Sequence, residues 1–291
     1  MGRVFHALNP ARQDPTPPML SRLFPKRSAR PVSRTPPDCV VWAVGDIHGR
    51  SDLSDRLIQA IRPDLHAAEA SRKVVVFLGD YVDRGPDSKG VLDQLVNLAA
   101  DPALEVRLLR GNHEDRMQAF LDDPQIGPSW CDYGGREALV SYGVNPPPMR
   151  GDEGAWAEAS LALGQALPAS HRVLLARLET SVSIGDYFFA HAGARPGVAL
   201  QAQSPEDLMW IRQPFLDHPG QFDQVVVHGH TPTEAVHCDA RRIGVDTGAY
   251  ATNVLSAVRL ERETRILLQA TGRAGRVAIT TSALGHGSKS G

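Results

Sequence analysis

Five short apolar runs punctuate the chain: CVVWAV (39–44), KVVVFLG (73–79), LEVRLLR (104–110), YFFAH (187–191) and QVVVHG (224–229). They are rich in β-branched or aromatic residues and end at or next to Gly or His, the pattern of buried strands stopped by turns. Between the first three the period changes. Leu53, Leu57, Ile58 and Ile61 share one face at helical spacing, and so do Val91, Leu92, Leu95, Val96 and Leu98. Strand–helix–strand–helix–strand predicts parallel strands joined by right-handed crossovers. Residues 113–178 carry helical patterns with little strand signal, broken by NPPP at 145–148, and read as a helical insertion beside the sheet. SVSIGDYFFA then predicts a hairpin turning at Gly185–Asp186. Residues 235–269 read as short strands alternating with turns, and no internal repeat is evident. The expected fold class is α/β with an α+β-like character: two packed mixed sheets flanked by helices.

Both ends depart from this patterning. Residues 1–37 are dense in Pro and Arg and lack the apolar stretch of a secretory signal, so a disordered extension is expected, or a basic arm that touches an anionic surface or a partner. The tail, 271–291, reads as disordered, which leaves 38–270 as the folded domain. The chain has 291 residues, 42% of them hydrophobic, enough for one large core or two modest ones. Its 31 basic and 33 acidic side chains nearly cancel, which argues against nucleic-acid binding. Cys39, Cys131 and Cys238 are odd in number and far apart, which fits a reducing, cytoplasmic setting and small buried thiols. No apolar run approaches the roughly 18 residues of a membrane span.

The chemistry sits where the strands stop. The runs lead into GDIHG (45–49), GDYVDRG (79–85), GNHE (111–114), HAG (191–193) and HGHT (228–231). Ligands of α/β sheets bind outside the carboxyl ends of strands. Five such turns at one edge would gather Asp46, His48, Asp80, Asn112, His191 and His230, an oxygen and imidazole set without thiolate that suits Mn, Fe or Zn. Singly, each motif is as well explained by a turn, a helix cap or a core histidine. Jointly and in order, they point to a divalent metal site.

The five motifs, over residues 39–260, resemble the ordered motif set of the metallophosphoesterases, and more narrowly the phosphoprotein phosphatases of calcineurin type in their compact bacterial form. The resemblance implies a four-layer sandwich and two metal ions, Mn most readily and Fe or Zn alternatively. Asp46 and His48 would bind the first, Asp80 would bridge, and Asn112, His191 and His230 would complete the second. Two cations roughly 3.5–4 Å apart repel, so a shared carboxylate and a water activated to hydroxide for in-line attack on phosphorus belong together. His113 would protonate the leaving oxygen, and Asp83 would hold its tautomer. Arg84 would bind phosphate oxygens, with Arg212 as a second arginine unless it is only a surface residue at a helix end. Glu114 is expected to tie its loop to backbone donors. His230 rather than His228 is the expected ligand. Asp246 could orient a ligand imidazole and Tyr250 line the substrate cleft, with core packing as the alternative for both.

The resulting expectation is a phosphoric monoester hydrolase acting on phosphorylated Ser, Thr or possible Tyr residues of a protein or peptide, with a monomer as the favoured assembly. A symmetrical bis(5'-nucleosyl)-tetraphosphatase is the alternative, although those enzymes often lack a carboxylate at the position of Asp83. A pseudophosphatase that binds phosphoproteins without turnover would lack a ligand, and none is missing. GVDTGAY (244–250) replaces the longer loop motif of the eukaryotic enzymes, so their regulatory subunits are not carried over.

Overall fold

The computed structural model describes residues 1–2 and 32–285. The first strand, β1 (Cys39–Val44), is buried at all six positions and divides its side chains between two cores. Val40, Trp42 and Val44 face the helices, while Cys39, Val41 and Ala43 face a second sheet. Helix α1 (Ser51–Ala67) lays Leu53, Leu57, Ile61 and Leu65 on the outer core and leads to β2 (Arg72–Phe77). Helix α2 (Ser88–Ala99), capped by Asp87 accepting from the Gly90 N–H, leads to β3 (Glu105–Leu108). All three strands run parallel, with Val41 opposite Val74 and Val75 opposite Val106. Strands buried on both faces need continuous apolar runs, which is why β1 and β2 read as such.

Helices α3 (Asn112–Asp122), α4 (Gly127–Trp130), α5 (Arg136–Ser141), α6 (Glu153–Ala166) and α7 (Ala169–Ala176) follow. Their buried side chains, Phe120, Trp130, Leu139, Trp156 and Leu163 among them, join the outer core. The hairpin β4 (Ser181–Ile184) and β5 (Tyr187–Ala190) turns through Gly185 at φ +57°. Short helices α8 (Pro205–Trp210) and α9 (Gln213–Leu216) precede β6 (Val225–His228), β7 (His237–Cys238) and β8 (Arg242–Gly244). After α10 (Ala249–Thr252), strands β9 (Val254–Glu261), β10 (Thr264–Arg273) and β11 (Arg276–Ala283) close the chain.

Among the described residues the strands form two mixed sheets, ordered β11-β10-β9-β1-β2-β3 and β4-β5-β6-β8-β7. Val74, Val76, Phe189, Val225 and Val227 interdigitate between them, and Phe188, Ala190 and Val226 back onto α8 and α9. The layers are helix, sheet, sheet, helix. No helix among the described residues is long and apolar enough to cross a membrane.

Two boundaries differ from expectation. Ser33–Pro37 was placed in the disordered extension, yet Thr35 accepts from the Arg262 N–H at 2.7 Å and donates to the Cys39 carbonyl at 2.9 Å. Ser33 accepts from the Tyr187 hydroxyl at 3.0 Å. These are side-chain-to-backbone bonds across the sequence, which local composition does not report. Residues 3–31 of the basic arm lie outside the described residues. At the other end, 271–283 is ordered: β10 runs to Arg273, and β11 pairs with it antiparallel from Arg276 to Ala283. Gly275 at φ +74° makes the turn, and Val277 and Ile279 pack against the outer core. As an edge strand with one solvent face, β11 needs few apolar residues, so its sequence reads as polar.

Truncation tests this. A chain ended after Gly285 keeps β11 intact and serves as the reference. Ending it after Arg273 should cost about 1–3 kcal/mol, from exposure of the surface that Val277 and Ile279 cover. Equal stability of the two would show that β11 contributes nothing.

Candidate metal centre

The polar turns after β1, β2, β3, β5 and β6 meet at one edge, and their backbone is strained to do so. His48, Asp80, Asp83, Arg84 and His230 all have left-handed φ, between +47° and +72°. That conformation costs a non-glycine residue roughly 1–2 kcal/mol and persists only where its surroundings enforce it. At Asp80 the enforcing group is Glu114, which also holds the residues on either side of the turn. One carboxylate oxygen accepts from the N–H groups of Asp80 at 2.9 Å and Gly111 at 3.0 Å; the other accepts from Tyr81 at 2.7 Å and Val82 at 3.2 Å. The carbonyl of Asp80 accepts from Ile47 and His48, which ties in the first turn. The loops approach so closely that a Cβ at Gly111 would lie 2.1 Å from Asp80 Oδ1, and one at Gly229 would lie 2.0 Å from Asp46 Oδ1.

Backbone carbonyls set the tautomers of two histidines. His48 Nδ1 lies 2.9 Å from the Val82 carbonyl and His191 Nδ1 lies 2.9 Å from that of Leu78. A carbonyl only accepts, so both protons sit on Nδ1 and both Nε2 atoms carry the lone pair, turned toward the cluster. His48 Nε2 points toward Asp80 Oδ2 at 3.5 Å. His191 Nε2 lies 3.4 Å from Asp80 Oδ1, 3.0 Å from Asn112 Oδ1 and 3.2 Å from His230 Nδ1. Two groups of potential ligand atoms result, His48–Asp80–His113 and Asp80–His191–His230, each within 4.8 Å of one another. Asp80 belongs to both. Asp46 joins through the His230 N–H, at 3.0 and 3.2 Å from its two oxygens.

The electrostatics suit a cation. Burial, with the charges of Asp246 and Asp80 added, pushes the Asp46 carboxyl well up. Burial also raises Asp246, to about 6. Burial pushes Asp80 the same way, but His191, His113 and His48 outweigh it and hold it well below the ordinary range. Burial lowers His48 to about 3 and His230 to about 2, which keeps both imidazoles neutral, the form that coordinates. His230 Nε2 is buried without a hydrogen-bond partner. An orphaned imidazole nitrogen among buried, mutually repelling carboxylates fits divalent metal, and the all-O/N donor set fits Mn, Fe or Zn.

Around this cluster, His113 Nδ1 lies 2.7 Å from Asp83 Oδ2 and its Nε2 lies 3.9 Å from Asp80 Oδ2. Arg84 donates to His48 Nε2 at 3.2 Å, and its guanidinium sits 4.7 Å from the centre of the Tyr250 ring. Tyr250 itself lies edge-on to His48 at 5.4 Å, so it borders the cluster. Arg212 is exposed, with Nη1 3.4 Å from Thr231 Oγ1, one residue past His230. Asp246 does not hold an imidazole: it accepts from the Gly248 N–H at 2.8 Å, because the turn at Gly248 folds back on it. His228 turns away, accepting from Arg242 Nη1 at 3.0 Å and packing against Phe215. The left-handed backbone at His230 breaks the strand alternation that would have put both histidines on one face.

Three residues escaped the sequence reading. Trp130, only 1% exposed, donates its indole N–H to Asp83 Oδ2 at 2.8 Å, the oxygen that also faces His113. A tryptophan 47 residues from its acceptor leaves no local signal. Arg116 and Trp210 stack at 5.0 Å, with Trp210 edge-on to His230 at 6.5 Å. For Arg116 the available signal was its spacing, one helical turn beyond Asn112 and His113.

A model of the calcineurin-like phosphoesterase family matches residues 39–264. Serine/threonine-protein phosphatase 1 of Salmonella typhimurium is 29% identical over 228 residues, covering 76% of this chain and 92% of that protein. An asymmetrical bis(5'-nucleosyl)-tetraphosphatase of Geobacillus thermodenitrificans is 24% identical over 252 residues, covering 77% and 91%. A solved structure of a candidate diadenosine tetraphosphatase superposes with a TM-score of 0.53 at 19% identity, covering 84% of this chain and 95% of that one, which is a likeness of fold. The chain belongs to the calcineurin-like phosphoesterase family, a family of phosphoesterase hydrolases.

Glu114→Gln isolates the backbone tie. An amide nitrogen would face two buried N–H donors and leave them unpaired, at about 1–3 kcal/mol each. The expected loss is about 3 kcal/mol of unfolding free energy, read from the shift of the denaturant midpoint. A loss below about 1 kcal/mol would mean that the strained turns are held by other contacts.

Proposed function

We propose that this protein is a metal-dependent phosphomonoesterase that hydrolyses phosphorylated Ser, Thr or Tyr side chains of proteins. The observation that carries this reading is the His113–Asp83 pair, closed at 2.7 Å with the opposite imidazole nitrogen directed toward Asp80. The alkoxide of a serine or threonine is a poor leaving group and needs a proton in the transition state. A nucleotide leaving from an anhydride needs it less.

Asp46, His48 and Asp80 would hold one metal ion, and Asp80, Asn112, His191 and His230 a second. Bound there, two divalent ions would supply a hydroxide near neutral pH and polarise the phosphate. Arg84, propped between Tyr250 and His48, presents its guanidinium fork to phosphate oxygens, and Arg212 does so from the turn after α8. His113 delivers its Nε2 proton to the departing oxygen. The donor is the imidazolium: Asp83 accepts from its Nδ1–H and stabilises the doubly protonated ring, whose second proton is on Nε2, and Trp130 holds the Asp83 oxygen in place. Three free cysteines, two of them buried, suit a reducing cytoplasm.

A second reading, hydrolysis of a dinucleoside tetraphosphate, is favoured by the likeness to the Geobacillus enzyme over most of the chain. The deciding assay is phosphate release by Mn-loaded protein, with phosphoserine, phosphothreonine and phosphotyrosine peptides beside diadenosine tetraphosphate. Turnover of peptides with little of the dinucleotide is expected; the reverse would replace the substrate class and keep the metal site.

His113→Asn should slow a phosphoserine peptide by roughly 10²–10⁴-fold and an activated aryl phosphate much less, with metal content unchanged by elemental analysis. Equal losses on both substrates would remove His113 as the acid. Loss of one metal equivalent would make it a ligand beside His48 and Asp80.

A further inference from the structure

We propose that Arg116 and Trp210 form a second anion subsite beside the metal centre, taking a phosphate or carboxylate that the substrate carries near the scissile phosphate. The inference rests on the phosphoesterase reading, but not on its choice between peptide and dinucleotide.

Arg116 stands four residues after Asn112 and three after His113 on α3, the spacing of side chains that share a helix face. Its guanidinium packs over the Trp210 ring at 5.0 Å, and that ring lies edge-on to His230 at 6.5 Å and 77°. The three side chains form a path from solvent to the metal cluster. Stacking engages the face of the guanidinium and leaves its in-plane N–H fork open. Among the described residues no carboxylate closes that fork: the adjacent Asp115 faces Arg110 at 4.0 Å instead. Elsewhere on the surface, Arg50 and Arg195 are doubly bonded to Asp52 and Asp207. An arginine ordered on an aromatic face yet without an acid is poised for an anion brought from outside.

The arrangement repeats the one across the cluster. Arg84 stacks on Tyr250, which borders His48, as Arg116 stacks on Trp210, which borders His230. Arg84 and Arg212 suffice for one phosphate, so Arg116 is surplus to a substrate with a single anion. The stacking distances put its fork within one to three residues of the metal site along an extended peptide, at about 3.4 Å per residue. An acidic or phosphorylated residue at that spacing could reach it, and so could the neighbouring phosphates of a polyphosphate chain. Both sources present the same chemistry, and cations lining one side of a cleft raise its preference for either.

The test is steady-state kinetics of wild type, Arg116→Gln and Arg116→Lys on four substrates. These are p-nitrophenyl phosphate, a phosphoserine peptide with Glu one to three residues away, the same peptide with Gln there, and diadenosine tetraphosphate. Wild type should prefer the Glu peptide to the Gln peptide by KM. Arg116→Gln should raise KM for the doubly anionic substrate about tenfold more than for p-nitrophenyl phosphate, with little change in kcat, and Arg116→Lys should recover part of it. A selective rise confined to the Glu peptide or to the dinucleotide identifies the source. A KM rise equal on all four substrates would make Arg116 a ligand of the scissile phosphate and overturn the subsite, as would no rise on any. Failure of wild type to hydrolyse any of the four substrates would instead strike the phosphoesterase reading. Because Arg116 is exposed, the variants should melt with wild type, which a thermal scan verifies.

Discussion

Glu114 is buried, and its carboxylate accepts four backbone N–H groups from two different turns. Burying a carboxylate is costly unless donors surround it, and buried backbone donors are costly unless something accepts from them. Each meets the requirement of the other. The result is a rigid junction between the turns after β2 and β3, on which the left-handed backbone of Asp80 and the helical start at Asn112 both depend. Asp80 is therefore aimed before any metal arrives, and His48 follows through the Asp80 carbonyl. Such preorganisation is what a metal site needs, because ligands that must be gathered lose affinity to entropy.

The helical segment from α3 to α7 is more than packing beside the sheet. Its Gly134 carbonyl accepts from the Arg84 N–H at 3.0 Å, and Trp130 reaches Asp83. Both contacts fall on the DRG end of the second motif, which carries Asp83, the partner of the proposed proton donor His113, and Arg84, the proposed phosphate fork. Asp83 is fully buried, and burial pushes its carboxyl up against the pull of His113 and Trp130. The indole N–H thus opposes part of the cost of keeping a charge there. Variation in this segment beyond its first turn can alter the surroundings of Asp83 and Arg84 while the candidate metal ligands stay on the turns at the strand ends.

The five apolar runs and the five polar turns after them were legible in the chain, because a strand buried on both faces must be continuously apolar and a turn at its end must be marked. β1, β2, β5 and β6 lie within a residue or two of the places their patterns indicate. The Gly185–Asp186 hairpin was legible for the same reason. The edge strand β11 was not: half-exposed, with Thr and Ser on its open face, it carries the composition of a tail. Thr35 and Ser33 were misplaced because their partners, Arg262 and Tyr187, lie more than 150 residues away.

By itself the sequence determined which residue types stand at the ends of the strands, and so the donor set, the family and the class of chemistry, because those depend on local order along the chain. The choice of His230 over His228 and the tie made by Glu114 were expected from the motifs, but only the tertiary structure decided which backbone donors Glu114 takes and where Asp246 points. It alone brought Trp130 to Asp83 and stacked Arg116 on Trp210. Those are relations between side chains on separate elements, set by packing and by the need of buried polar groups for partners. No window of sequence contains both members.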